Sequence, residues 1–373
     1  MKQIICTPGS DYAGLDEWIR RNGCRKILLV CDGSIRFLEG LNRKLDRLSI
    51  PIVRFSDFQP NPRYESAVSG TACFRSERCD SIMAVGGGSA MDVAKCIRLY
   101  AFQPGDGRDG SWLQTRPVPN HIPFLAMPTT AGTGSEATRY AVIYHNGSKQ
   151  SVTDECCIPD TVLMDPGALA SLPAYQKKAT MMDALCHAVE SFWSVNSTDE
   201  SIRFSTEAIR GVLEHMQGYL ANTEAGNAGM LRAAYIAGKA INITQTTAGH
   251  AMCYKITGLF GCAHGHAAIL CDRVLFPFMI GHTDRCVDPR GAAYLQTALD
   301  GIGLAMGCRD ARDGAEKLNR IFDSLQLEIP SAAPEQFAIL ESSVNAERMK
   351  NHPIALDTDT IGALYRRILN KKA

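Results

Sequence analysis

The amino-acid sequence predicts two architectures in one chain: an α/β half built on a parallel sheet, then a half made of helices alone. Three observations carry this. Short apolar runs of strand length alternate with amphipathic stretches as far as Asp165. One of those runs opens directly into a glycine triplet and a helix-like stretch. From Ala168 onward only long helical periodicities remain. The change from alternation to helices places a boundary between Asp165 and Leu172, so residues 1–166 and 167–373 are expected to form separate domains.

Taken in order, the run Arg25–Ser34 is apolar at its centre and closed by a turn, which predicts a strand buried on both faces of a parallel sheet. The amphipathic stretch from Ile35 to Leu48 reads as a crossover helix, Ile52–Phe55 as the next strand, and Pro60-Asn61-Pro62 as a loop. Ser81–Val85 is a strand that leads into Gly86-Gly87-Gly88-Ser89 and then the helix-like Ala90–Ile97, which includes Asp92. Strand, glycine loop and helix start make an anion site, because backbone N–H groups can approach a diphosphate and the helix dipole favours negative charge. The run matches neither G-x-G-x-x-G nor the Walker pattern, and a tight packing turn is the plain alternative. Ile122–Pro128 is a further strand, delivering the hydroxyl-rich run Thr129–Glu136 to the carboxyl edge of the sheet, where ligands of open α/β sheets collect. Val162–Pro166 reads as the last strand, followed by helices over Tyr175–Phe192, Ser201–Ala221 and Ala225–Thr244 and several more beyond.

Composition narrows the partners. Lys plus Arg and Asp plus Glu are equal at 39 each, so no global basic field exists for nucleic acid or an anionic membrane. The 14 cysteines include no C-x-x-C pair, and two are adjacent at Cys156 and Cys157, a pattern of neither a zinc ribbon nor a disulfide framework. No run reaches the length of a membrane span, and the first residues lack the long apolar region of a signal peptide. A cytoplasmic protein with reduced thiols is expected.

The residues that carry chemistry lie in the helical half. Asp183 and His187 are i and i+4 on a helix whose other neighbours are apolar, so both point into one volume. His250 and His264 lie fourteen positions apart with Gly258 and Gly261 between them, which breaks the helix and allows approach from two directions. One carboxylate and three imidazoles form a donor set suited to Fe(II), Zn(II), Co(II) or Ni(II), and too nitrogen-rich for Mg(II) or Ca(II). Each histidine taken singly also fits a satisfied core or surface residue, and spacing does not decide between the two.

Four runs, in this order, resemble the iron-containing alcohol dehydrogenases: Gly86–Lys95, Pro128–Thr138, Asp183–Glu190 and His264-Gly265. The resemblance spans nearly the whole chain. It implies a Rossmann-like dinucleotide-binding domain, a helical domain, and a cleft for a nicotinamide cofactor and a metal. By motif match it implies metal ligands at Asp183, His187, His250 and His264. It implies cofactor contacts from the glycine loop (Gly86, Gly87, Gly88, Ser89, with Asp92 on the helix behind it) and from Thr129, Thr130, Thr133, Ser135 and Lys149. Asp32, at the end of the first strand, would accept from an adenosine ribose and repel a 2′-phosphate, so NAD(H) is expected over NADP(H). Fe(II) is expected over Zn(II), because four protein ligands require the ion to expand its coordination to take substrate.

Where many relatives carry a second histidine, this chain has Tyr254, on the same helix face as His250 and able to line the substrate pocket. The runs His250–Thr257 and His264–Ala267 are similar to a phosphonate-metabolism branch of the family, whose members reduce phosphonoacetaldehyde to 2-hydroxyethylphosphonate. Its anionic substrate needs cations, for which Lys255, Arg139 and His266 are the candidates, with Lys255 turned roughly 140° from the ligand direction. His266 and Tyr254 are also candidate proton relays. A dehydrogenase for small uncharged aldehydes such as lactaldehyde or butyraldehyde is the alternative, and a non-catalytic nucleotide- and metal-binding regulator a remote one. The expected partner is a small aldehyde or alcohol, handled by a homo-oligomer of two or more chains.

Overall fold

The structure, a computed structural model, describes residues 3–344 and 346–369. It divides into two compact units, one formed by the chain up to Leu172 together with Asn222–Leu231, the other by Pro173–Ala221 and the chain from Arg232. The return of Asn222–Leu231 to the first unit has no counterpart in the hydropathy pattern. It is held there by side-chain amides, Asn222 Nδ2 donating to the Ala170 carbonyl (3.1 Å) and Asn227 Nδ2 to that of Pro166 (3.2 Å).

In the first unit, strands and helices alternate: β1 (Ile4–Cys6), α1 (Ala13–Asn22), β2 (Ile27–Cys31), α2 (Glu39–Arg47), β3 (Ile52–Phe55), α3 (Tyr64–Ser76), β4 (Ser81–Gly86), α4 (Gly88–Tyr100), β5 (Phe124–Pro128), the hairpin β6 (Tyr140–His145) and β7 (Ser148–Thr153), and β8 (Thr161–Leu163). Six strands form one parallel sheet in the order β1-β8-β5-β4-β2-β3. Strands β2, β4 and β5 are buried at every position, as continuous apolar runs covered on both faces must be. Their residues alternate between two cores. Leu28, Val30, Ile82, Ala84, Phe124 and Ala126 pack with α4, while Ile27, Leu29, Met83, Val85, Leu125 and Met127 pack with residues of α1 and α2. The chain runs from β2 outward to β3 and then returns across β2 to β4, so the order reverses between β2 and β4, the place where open α/β sheets hold ligands.

The second unit is helical: α5 (Ala174–Trp193), α6 (Asp199–Leu220), most of α7 (Glu224–Thr244), α8 (Ala248–Phe260), α9 (His264–Ile280), α10 (Ala292–Ala305), α11 (Ala311–Leu325), α12 (Pro334–Ser342), α13 (Ala346–Met349) and α14 (Thr358–Leu369). Helix α5 is buried from Met181 to Trp193, with α6, α9 and α10 packed on it. A Rossmann-like parallel sheet followed by helices is thus the architecture. Two expectations shift. The predicted helix Ile35–Leu48 is a short 3-10 turn over Gly33–Phe37 followed by α2, and the last strand ends at Leu163, because the Asp165 side chain accepts from the Gly167 N–H (2.8 Å) and turns the chain. No helix among the described residues is long and apolar enough to cross a membrane.

Candidate metal centre and dinucleotide loops

The centre begins on α5, where Asp183, His187 and Glu190 stand at i, i+4 and i+7 and share one buried face. His250 lies in the first turn of α8, and His264 opens α9 after Gly261, in the left-handed region, ends α8. These helices can meet only because residue 265 is glycine: an ideal Cβ there would sit 2.1 Å from the Ala179 carbonyl oxygen and 2.5 Å from Asp183 Cβ. The Nε2 atoms of His250, His264 and His187 then lie 3.4, 3.9 and 4.0 Å from Asp183 Oδ1. The rings of His187 and His250 stack with centroids 4.6 Å apart, and His264 meets His250 edge-on at 5.2 Å. The structure therefore gathers Asp183, His187 and His250 into one buried group with ligand atoms within 4.8 Å of one another, and sets the partly exposed His264 beside Asp183 and His250.

Whether these residues fit a metal can be read from their unmet needs. Asp183 Oδ1 and His250 Nε2 are buried without a hydrogen-bond partner among the described residues. Such orphaned acceptors are costly unless a cation compensates them. Burial opposes ionisation of Asp183, but His187 and the other imidazoles outweigh it and hold the carboxyl well below its usual range. Burial would likewise lower His250, yet the Glu190 and Asp183 carboxylates outweigh it and push the imidazole up to about 10. A site that draws positive charge this strongly, with three nitrogens and one oxygen, fits a divalent transition ion.

Glu190 has no role in the sequence-based reading, although its i+7 spacing from Asp183 signals the shared face. It is fully buried and accepts from the Thr247 N–H (2.5 Å), the Thr247 hydroxyl (2.6 Å), the His250 N–H (3.0 Å) and His250 Nδ1–H. Because the Nδ1 proton is held by Glu190, Nε2 is the nitrogen facing Asp183, and a metal ion would take its lone pair in place of the proton that the two carboxylates otherwise favour there, the carboxylate–histidine arrangement that orients metal ligands. Cys253, also buried, donates to the His250 carbonyl (3.4 Å) and stands 3.6 Å from His264 Nδ1.

The expected substrate residues separate. Tyr254 lies flat on His264, ring centroids 5.5 Å apart and planes 9° from parallel. Lys255, the next residue, is exposed. His266 does not serve as expected: it is buried, and its ring nitrogens are engaged by the Tyr175 hydroxyl (3.0 Å) and the Glu328 carbonyl (2.9 Å). Burial lowers its pKa, so it brings no positive charge to an anion and no free nitrogen to a proton relay. Arg139 belongs to the first unit, where it pairs with Glu155 at 2.5 Å.

In the first unit, the glycine and threonine runs meet at the carboxyl ends of β4 and β5. Gly86 has φ +154°, and an ideal Cβ on it would lie 2.4 Å from Asp32 Oδ2, so only glycine fits. Side chains of Thr130 and Thr133 stand within 3.4 and 3.1 Å of where Cβ atoms on Gly87 and Gly88 would be, and the Thr129 N–H donates to the Gly86 carbonyl (3.0 Å). Ser89 occupies the first turn of α4, whose start is the anion-binding end. Asp32 accepts from the Ser34 and Gly87 N–H groups (2.8 and 3.1 Å), so this carboxylate shapes the loop as well as standing beside it. Asp92, expected among the cofactor contacts, accepts from the Ser135 hydroxyl (2.9 Å) and the Val142 N–H (3.1 Å), tying α4 to the threonine loop and the hairpin. Lys149 on β7 lies close enough to act electrostatically on Asp92. Lys95, unassigned from sequence, is fully buried and donates to the Ser135 and Thr138 hydroxyls (2.8 and 3.0 Å) and the Tyr140 carbonyl (2.7 Å), which fixes the loop's outer half.

One pH effect follows from this loop. Burial pushes Glu136 up to about 7, against the pull of Lys95. A carboxyl whose folded pKa lies above its unfolded value near 4.5 loses stability as pH rises from 4.5 through 7. Glu136→Gln is therefore expected to melt higher than the parent at pH 8, by about 1–3 kcal/mol, with the gap closing by pH 4.5. Thermal unfolding at both pH values checks this, and a gap independent of pH contradicts it.

Comparison with known proteins agrees with this geometry. The model of the iron-containing alcohol dehydrogenase family matches residues 2–166, and that of the family's C-terminal region matches residues 177–369. Phosphonoacetaldehyde reductase of Streptomyces viridochromogenes is 32% identical over 78% of this chain and 76% of its own length. NAD-dependent methanol dehydrogenase of Bacillus methanolicus is 30% identical over 82% of this chain and 81% of its own. Among solved structures, sulfoacetaldehyde reductase from Bifidobacterium kashiwanohense in complex with NAD+ superimposes with a TM-score of 0.88, covering 99% of this chain and 98% of that one at 23% identity, a likeness of fold. The chain belongs to the iron-containing alcohol dehydrogenase family, oxidoreductases that interconvert alcohols and aldehydes.

Proposed function

We propose that the protein reduces phosphonoacetaldehyde to 2-hydroxyethylphosphonate, with NAD(H) as the dinucleotide and Fe(II), or Zn(II) in its place, held by Asp183, His187, His250 and His264. The observation that carries the chemistry is the convergence of three imidazole Nε2 atoms within 4.0 Å of the buried Asp183 Oδ1. When bound, such an ion supplies Lewis acidity toward a carbonyl oxygen and the dinucleotide supplies hydride. The chain's own residues do the rest. Glu190 fixes the His250 tautomer, and the start of α4 offers N–H groups to a diphosphate. Burial raises Tyr254, so this phenol keeps its proton beside His264 and can donate it. Asp32, beside the glycine loop, disfavours a 2′-phosphate and supports NAD(H). The phosphonate head group is supported by the Streptomyces viridochromogenes relative and by the family branch that the Tyr254 region resembles.

The second reading, a neutral aldehyde, draws on one observation: of the three expected cations, Arg139 and His266 are committed to other partners. An aldehyde panel assayed anaerobically with NADH and NADPH after Fe(II) or Zn(II) reconstitution separates the two. Phosphonoacetaldehyde is expected to exceed acetaldehyde in kcat/KM by about 100-fold or more, as for sites built around a polar group of the substrate. Equal values overturn the phosphonate reading, and no turnover with any aldehyde overturns the enzyme reading itself.

A further inference from the structure

A phosphonate is largely dianionic at neutral pH, so a site that selects it needs a cation with more than one donor, placed out of bulk water. We infer that Arg348, together with Thr246 and the Tyr254 hydroxyl, forms the subsite that receives the anionic head of the substrate. The inference rests on the reading above that the substrate is an anionic aldehyde, and it names the group that answers the charge.

Arg348 lies on α13, which packs on α8. Its Nη1 donates to the Thr246 hydroxyl (3.0 Å), in the segment that leads into α8. The next residue, Thr247, donates to Glu190 from both its N–H and its hydroxyl, and Glu190 holds His250. The guanidinium is therefore anchored to the same segment that positions a metal ligand. Tyr254 lies on α8, the helix against which α13 packs. Tyr254 in turn lies flat on His264, whose Nε2 is 3.9 Å from Asp183 Oδ1. Two routes thus lead from a fixed positive charge to the ligand cluster, one through Thr246, Thr247 and Glu190 to His250, the other across the packing of α13 on α8 to Tyr254 and His264.

That order matches the substrate. In phosphonoacetaldehyde a single methylene separates the carbonyl carbon from phosphorus, so the cation must be a near neighbour of the cluster. Arg348 is half-buried, and a partly desolvated guanidinium holds an oxyanion through a planar fork that a solvated ammonium lacks. Lys255, although adjacent to Tyr254 in sequence, is exposed. A purely structural Arg348 would do no more than tie α13 to the Thr246 segment, and such a role cannot distinguish one aldehyde from another.

The test is the ratio of kcat/KM for phosphonoacetaldehyde over propionaldehyde, the neutral aldehyde with a methyl group in place of the phosphonate, in the metal-loaded parent protein, Arg348→Gln, Arg348→Lys and Lys255→Gln. Inhibition by ethylphosphonate against propionaldehyde gives a second readout, independent of turnover of the anionic substrate. Arg348→Gln is expected to lower the ratio about 100-fold and to weaken ethylphosphonate by a similar factor. Arg348→Lys is expected to fall between it and the parent, keeping charge and losing the fork, and Lys255→Gln to stay within about threefold of the parent. A parent ratio near one removes the anionic-substrate reading and this subsite with it. A high parent ratio that survives Arg348→Gln, or that collapses in Lys255→Gln instead, overturns the assignment of Arg348 and leaves the substrate reading standing.

Discussion

Glu190→Gln is expected to weaken metal binding by about 10- to 100-fold and to lower stability by about 3 kcal/mol. The parent carboxylate has two oxygens, and each meets two donors: Thr247 N–H and hydroxyl on one, His250 N–H and Nδ1–H on the other. Glutamine keeps one of those oxygens and replaces the other with an NH2 group that points a donor at donors. Two buried polar hydrogens then have no acceptor, at about 1–3 kcal/mol each before relaxation. The loss also reaches the ion. Without a carboxylate at Nδ1, His250 is free to carry its proton on Nε2, the nitrogen 3.4 Å from Asp183 Oδ1, and a protonated nitrogen cannot be a ligand. Competition with a chelator measures the affinity and thermal unfolding of the metal-free protein measures the stability. Affinity unchanged within about twofold would show that His250 is oriented by something other than Glu190.

The same residue shows how far the sequence reaches. Asp183, His187 and Glu190 share a helix face by arithmetic alone, so the face was legible. That the first turn of another helix would lay His250 against it depends on tertiary packing, which spacing does not encode. The sheet divides similarly. Strands β2, β4 and β5 announce themselves because burial on both faces demands unbroken apolar runs. Strand β1 is three residues long with Ile4 and Ile5 42% and 43% exposed, too short for any period to register. The hairpin β6–β7 did carry a signal, Asn146-Gly147 between two six-residue runs, and both residues adopt the positive φ (50° and 73°) that a two-residue turn requires. Its importance lies in what it holds: the Tyr140 carbonyl accepts from Lys95 and the Val142 N–H donates to Asp92, so an unread hairpin sets the shape of the threonine loop. Arg348, a lone arginine in a polar stretch, carries no sequence signal.

Gly265→Ala is expected to be strongly disruptive for a single added methyl group, lowering stability by about 3 kcal/mol and reducing metal affinity at least tenfold. The reason is volume rather than backbone freedom. The added Cβ would lie 2.1 Å from the Ala179 carbonyl oxygen, 2.5 Å from Asp183 Cβ and 2.8 Å from the Asp183 N, and none of these atoms can swing away as a flexible side chain would. Relief requires the start of α9 to part from α5 by an ångström or more. His264 begins α9 and Asp183 sits on α5, so that parting stretches the separation of two ligands, whereas metal sites tolerate only a few tenths of an ångström. Gly258→Ala supplies the control. Gly258 lies inside α8 with open space around its would-be Cβ, so alanine there should stabilise by up to about 1 kcal/mol through helix propensity and leave metal binding alone. Differential scanning calorimetry on the two metal-free variants, followed by chelator competition on each, separates a packing defect at the helix crossing from a general cost of adding a methyl group. Should Gly265→Ala melt no lower than Gly258→Ala and bind metal equally well, α5 and α9 can part at this crossing without consequence, and His264 does not owe its place beside Asp183 to the contact between these two helices.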